Sequence, residues 1–144
     1  MDSSQIKVAA DSLFAGGVIA YPTEGVWGLG CDPFNFDAVN RIAQIKGRSL
    51  AKGMLLISGQ MQHFAPLYQG FDAHERERLE LGWQNFQTWV LPNHGFAPSW
   101  VTGDNPSIAV RLTKHPLVAA LTQCFGAPIV STSANLAGAP AIME

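Results

Sequence analysis

The chain is 144 residues long, with 47% apolar and 14% charged residues, enough to bury one core and too apolar for an intrinsically disordered chain. Nine Lys and Arg against 11 Asp and Glu give a net charge of −2, which excludes attachment to nucleic acid by bulk charge and confines any such contact to a local patch. The two cysteines, Cys31 and Cys124, form neither a disulfide framework nor a metal-binding pair, and fit a reducing compartment as buried thiols. No basic and apolar leader opens the chain and no apolar run approaches the ~20 residues that cross a bilayer. A cytoplasmic protein without membrane contact is expected, with one domain over residues 1–144.

Ser3 or Ser4 can cap a first helix whose apolar positions Ile6, Ala9, Ala10, Leu13 and Phe14 share one face, and Gly16-Gly17 ends it. Val18-Ile19-Ala20-Tyr21, closed by Pro22, reads as a buried strand, followed by a turn-rich stretch from Thr23 to Cys31. Asp37 to Lys46 reads as a helix stopped by Gly47, and Met54-Leu55-Leu56-Ile57 as a second buried strand. Two helices are expected over Gln60–Tyr68 and Asp72–Phe86, the second with a solvated face of paired charges at Glu75, Arg76, Glu77, Arg78 and Glu80. Thr88 to Leu91 is a strand, Pro92 to Asn105 a loop, and Ser107 to Leu112 a strand with Arg111 embedded in it. A helix from Pro116 to Phe125, stopped by Gly126, precedes a last strand from Pro128 to Ser133 that turns polar at its end. Helices alternating with apolar strands indicate an α/β fold.

Several chemistries are excluded. No GxxxxGK[ST] loop is present, and Gly25, Gly28 and Gly30 have the wrong spacing for a dinucleotide fingerprint. His63, His74, His94 and His115 are spaced for no zinc site, no GxSxG elbow surrounds a serine, and surface or capping roles suit the histidines. Four features remain. Tyr21-Pro22-Thr23-Glu24-Gly25 carries Thr23 from a strand end into a turn, where ligands of α/β folds bind, although turn chemistry alone accounts for it. Lys46-Gly47-Arg48-Ser49-Leu50-Ala51-Lys52 gathers three cations around a glycine with no acid among them, which suits a polyphosphate or a solvated loop. Arg111 in an apolar strand needs an anionic partner unless its strand is an edge. Ser131-Thr132-Ser133-Ala134-Asn135 presents small hydrogen-bonding groups that suit a phosphate or polar ligand, or a capped turn.

In this order, from Ile19 to Pro140, these runs together resemble the YrdC/TsaC family of threonylcarbamoyl-AMP synthases. The resemblance implies a twisted mixed β-sheet flanked by helices, with a large, concave, positively lined cavity. It implies that L-threonine, bicarbonate and ATP give threonylcarbamoyl-AMP and pyrophosphate, for modification of tRNA beside the anticodon. By the same resemblance, Lys46 and Arg48 serve the reacting phosphates. Thr23, Arg111 and Ser131 hold threonine. Arg48, Lys52, Ser107, Ser133 and Asn135 hold ATP, and Mg²⁺ arrives on ATP with no dedicated protein ligands. It implies contact with tRNA or double-stranded RNA and transfer of the product to a tRNA threonylcarbamoyl-transferase complex. The alternative is a weak or inactive module of the same fold that binds nucleotide or RNA. Two departures stand out. Trp83-Gln84-Asn85-Phe86-Gln87-Thr88 lacks the family's Pro-Gly-Pro turn and could extend a helix, and the family's chains continue several tens of residues past Glu144, so a shortened C-terminus is expected.

Overall fold

The computed structural model describes residues 3–22, 27–85 and 87–133. Local signals set the helix ends. In α1 (Ser3–Phe14) only Ala10 and Leu13 are fully buried. α2 (Phe36–Lys46) is capped by the Asn35 side chain, which accepts from the Ala38 amide, and ends at Gly47 with φ 63°, a left-handed conformation that glycine adopts without a Cβ penalty. The expected helix over Gln60–Tyr68 is instead a 3₁₀ turn, Met61–Phe64, followed by a single helical turn, α3 (Ala65–Tyr68). Pro66 sits in the first turn of α3, and its ring and missing N–H bar it from a helix interior. α4 (Ala73–Gln84) opens with a reciprocal capping box between Asp72 and Glu75. Its charged face carries the expected pair, Arg76 Nε donating to Glu80 at 3.1 Å. A short helix, α5 (Ser99–Thr102), lies in the stretch expected to be all loop, and α6 (Pro116–Phe125) ends at Gly126 with φ 84°.

The strands are β1 (Ile19–Pro22), β2 (Trp27–Cys31), β3 (Leu55–Ser58), β4 (Trp89–Pro92), β5 (Ser107–Leu112) and β6 (Ile129–Ser133). They form one sheet in the order β1-β2-β6-β3-β5-β4, with β3 and β5 parallel and every other pair antiparallel. β2 falls where a turn-rich stretch was expected. β5 is an interior strand, which removes the edge-strand account of Arg111.

Alternating side chains divide the sheet into two faces. Cys31, Val130, Leu56, Ile108, Val110 and Leu91 point to one face and pack with Val39 and Ile42 of α2, Leu79 and Trp83 of α4, and Val101 of α5. Burial, and then the charge of Asp32, pushes the Cys31 thiol up to about 12, so it behaves as a small apolar side chain. Cys124 departs from the expected buried thiol, for it is exposed on α6. On the other face Tyr21, Ile57 and Ile129 pack beneath Ala10 and Leu13 of α1 and Val118, Leu121 and Phe125 of α6. That cover stops short. Leu55, Ala109, Ser107 and Arg111 share the second face but stay half-buried, and Val90, paired with Ala109, is 65% exposed.

Candidate active site

The bare part of the second face is the floor of the site. A cavity of about 370 Å³ lies over it, bounded by Leu55 of β3, Ser107 and Ala109 of β5, Thr88 and Val90 at β4, and Arg48 and Lys52 from the loop after α2. A second hollow of about 260 Å³ is lined by Ser131 and Thr132 of β6 and shares Arg48, Gly53, Met54 and Leu55 with the first. Arg48 therefore stands between two compartments. Among the described residues no acid lines either one, so a chain of net charge −2 presents a locally cationic hollow suited to an anion.

A backbone clamp holds the cationic loop. Gly47 turns the chain at the end of α2, and Ser49 caps a 3₁₀ turn at Leu50–Lys52. The Met54 amide donates to Val101 O at 2.7 Å and the Asp104 amide to Ala51 O at 2.9 Å. Two glycines face each other here. A Cβ on Gly53 would stand 2.7 Å from Thr102 O, and one on Gly103 would stand 2.3 Å from Ala51 O. Arg48 Nη2 donates to Gly53 O at 3.1 Å, which ties the guanidinium to the clamped segment and lets its remaining N–H groups face the hollow.

Arg111, half-buried on the same face as Ser107 and Ala109, donates from Nε to Thr88 Oγ1 at 3.2 Å. The partner is a neutral hydroxyl, and among the described residues no acid pairs with the guanidinium. Ser131 accepts from the Tyr21 hydroxyl at 2.5 Å.

The structure thus brings together Arg48, Lys52, Ser107 and Ser131; Arg111 is on the same face of the sheet and bonded to Thr88 at the rim of the larger hollow, but lines neither hollow itself. Lys46 differs. It is 5% exposed in the last turn of α2 and lines neither hollow. Burial, and then the neighbouring Arg48 charge, lowers its pKa from the ordinary lysine value. Ser133 ends β6 opposite Gly28, while Thr23 and Asn135 lie outside the described residues. Sequence reasoning did not assign Tyr21, Thr88, Gly53 and Gly103 to the site. Tyr21 and Thr88 were visible as members of the Tyr-Pro-Thr-Glu and Trp-to-Thr segments, but contacts between distant strands have no local signal. α4 ends at Gln84 with Asn85 as its cap, so the segment lacking the Pro-Gly-Pro turn does not run on as helix up to Thr88.

A family model described as "Telomere recombination" (Sua5_yciO_yrdC) matches residues 11–144. The chain belongs to the Sua5/YciO/YrdC family. Two curated relatives bear the name threonylcarbamoyl-AMP synthase. The one from Cellvibrio japonicus is 48% identical over 136 residues, covering 94% of this chain and 72% of the relative. The one from Hahella chejuensis is 50% identical over 130 residues, covering 90% of this chain and 71% of the relative. Among solved structures, P. abyssi Sua5 complexed with L-threonine superposes with a TM-score of 0.84 at 29% identity, over 99% of this chain and 42% of that one. The chain therefore spans about seven-tenths of those Sua5/YciO/YrdC relatives and less than half of the Sua5 chain. The mixed sheet flanked by helices is the fold the sequence implied.

Proposed function

We propose that this chain carries threonylcarbamoyl-AMP synthase chemistry: L-threonine, bicarbonate and ATP give L-threonylcarbamoyladenylate and pyrophosphate. The supporting observation is the paired hollow, with Arg48 between a compartment that holds Lys52 and Ser107 and one that holds Ser131. Threonine's amine condenses with bicarbonate to give a carbamate and water, a carbamate oxygen attacks the α-phosphorus, and the bond from that phosphorus to the bridging oxygen of the β-phosphate breaks to release pyrophosphate. This displacement needs alignment and charge neutralisation more than a strong acid or base. Arg48 and Lys52 supply the neutralising charge over the triphosphate, and Ser107 and Ser133 contact the nucleotide. Arg111 takes the threonine carboxylate with its Nη pair while Thr88 holds its Nε, and Thr23 and Ser131 orient the amino acid. By the family resemblance, Lys46 supports the phosphate-binding cations and Asn135 braces its loop.

Mg²⁺ would arrive with the triphosphate and would add to the charge neutralisation that Arg48 and Lys52 supply. Among the described residues no group of three His, Cys, Asp or Glu side chains converges to hold a metal. The product would pass to a tRNA threonylcarbamoyl-transferase complex in the cytoplasm. RNA contact would be confined to the cationic rim and weakened by salt.

The test is pyrophosphate release from ATP with threonine, with serine and with no amino acid, each with and without bicarbonate. Release only when threonine and bicarbonate are both present, abolished by Arg48→Ala, is the expected result. Stabilisation by ATP or tRNA without any product would favour the binding-module alternative, and threonine-independent release would refute the synthase reading.

A further inference from the structure

Gly28 and Gly30, which the dinucleotide-fingerprint reading left without a role, lie under the ring of Tyr21. Tyr21 on β1 pairs with Gly28 on β2, and Gly30 pairs with Ser131 on β6. To reach Ser131 the tyrosine must cross the whole width of β2. A Cβ at Gly28 would stand 3.0 Å from Tyr21 Cζ and 3.2 Å from its hydroxyl oxygen, and a Cβ at Gly30 would stand 2.9 Å from Tyr21 Cε1. The two glycines are thus the passage through which the ring lies flat on the strand. At its far end the hydroxyl meets Ser131 Oγ at 2.5 Å, with Tyr21 1% and Ser131 9% exposed.

The phenol is the stronger acid of the two hydroxyls, so it donates and the serine oxygen accepts. The serine's own proton is then turned away from Tyr21. Among the described residues no protein group accepts it, and Ser131 lines the 260 Å³ hollow beside Arg48. We propose that Tyr21 is a positioning residue that fixes the Ser131 hydroxyl as a hydrogen-bond donor into this hollow, aimed at an anionic or carbonyl oxygen of the amino-acid substrate. A serine whose rotor is set in advance loses less freedom when the ligand arrives, and its oxygen, already polarised by the phenol, makes a stronger donor. The proposal rests on the reading of Ser131 as a threonine contact.

The experiment measures L-threonine and ATP binding by calorimetry for Tyr21→Phe, Ser131→Ala and the double variant. Calorimetry makes the readout independent of turnover. Tyr21→Phe keeps the ring over the glycines and removes only the hydroxyl. Threonine affinity should fall about 5- to 30-fold, as for loss of one ligand hydrogen bond and its preorganisation, with ATP affinity unchanged. The double variant should bind threonine no more weakly than Ser131→Ala. Gly28→Ala supplies a second route should Tyr21→Phe fail to fold: it keeps the hydroxyl, displaces it, and should weaken threonine but not ATP. Normal threonine affinity in Tyr21→Phe (or in Gly28→Ala, where that variant replaces it) together with a weakened Ser131→Ala would overturn the proposal while leaving the site reading intact. Losses that multiply in the double variant would also overturn it. Normal affinity in Ser131→Ala would overturn both.

Discussion

Gly103 is the position where one methyl group should damage both the fold and the nucleotide side of the site. Its backbone sits at φ 66° and ψ −138°, a region reserved for glycine, and forcing alanine into such a conformation costs about 1–3 kcal/mol. The added Cβ would stand 2.3 Å from Ala51 O and 2.7 Å from Gly53 N, against the 3.4 Å of ordinary contact. Neither neighbour is the tip of a flexible side chain. Ala51 O accepts from the Asp104 amide at 2.9 Å, and Gly53 O accepts from Arg48, so relief must come from moving the Leu50–Gly53 segment as a whole. Such overpacking costs a further ~1–3 kcal/mol. Gly103→Ala should therefore lose about 2–6 kcal/mol, a large share of the ~5–15 kcal/mol typical of a folded domain. Tm should fall by at least about 6 °C at this chain length.

Gly126→Ala isolates the backbone part of that cost. Gly126 has φ 84° with nothing within 4 Å of its would-be Cβ, so only the left-handed strain of ~1–2 kcal/mol applies. The functional consequence separates the two variants further. Arg48 and Lys52 are held by the clamped segment, so Gly103→Ala should weaken ATP binding while Gly126→Ala leaves it alone. Thermal denaturation and ATP calorimetry on both variants decide the matter. Equal Tm losses in the two variants, or normal ATP affinity in Gly103→Ala, would refute the clamp as the device that positions Arg48 and Lys52.

Thr88→Val removes the oxygen that accepts from Arg111 Nε and should raise the threonine KM about 5- to 30-fold with the ATP KM unchanged, while Thr88→Ser restores it; a serine variant as impaired as the valine one would sink the idea. His63 gives a pH dependence. His63 Nδ1 is hydrogen-bonded to Ser58 Oγ at 2.7 Å, and burial lowers the His63 pKa from its ordinary 6.5. The unfolded chain then binds the proton more tightly, so this stability is complete above about pH 6.5 and is lost as pH falls through the lowered folded pKa. Tm should drop between about pH 7 and pH 5, less steeply in His63→Gln; an identical slope in that variant would exclude His63 as the source.

The parts of the fold that were legible in the sequence are those with a local cause. Gly47 and Gly126 stop helices, Pro116 starts one, and the apolar runs at Leu55–Ser58, Ser107–Leu112 and Ile129–Ser133 are strands. β2 was not legible because Trp27-Gly28-Leu29-Gly30-Cys31 contains two residues that weaken strands. It is nonetheless a strand because both neighbours need it: its Cys31 enters the core, and its glycines admit the Tyr21 ring. The site divides in the same way. Arg48, Lys52 and Arg111 stood out as cations in unusual sequence settings. Nothing in the sequence indicated that Lys46 would be buried away from the hollow, because burial of the last turn of α2 depends on the sheet beneath it. Arg111 stood out for want of an acid nearby in sequence; its hydroxyl partner Thr88 is 23 positions away and carries no charge to look for.

The hollow itself follows from where the second face of the sheet changes its side chains. Along β3 the face passes from Ile57, 4% exposed, to half-buried Leu55, and along β6 from Ile129, fully buried, to Ser131. Each change takes two residues, about 7 Å of strand, and it marks the limit of the cover that α1 and α6 provide. Beyond that limit the floor uses small residues, Ala109 and Ser107 on β5 and Ser131 on β6, while the space over Gly28 and Gly30 on β2 is filled by the Tyr21 ring. A strand places its Cβ atoms with little freedom, so absent side-chain volume on this face becomes fixed empty volume. The cations at the nucleotide end come from elsewhere, on a loop that owes its position to backbone contacts at Gly53 and Gly103. Shape and charge therefore have separate structural origins, which is why a methyl group at Gly103 should disturb ATP while leaving the strand-borne serine under Tyr21 in place.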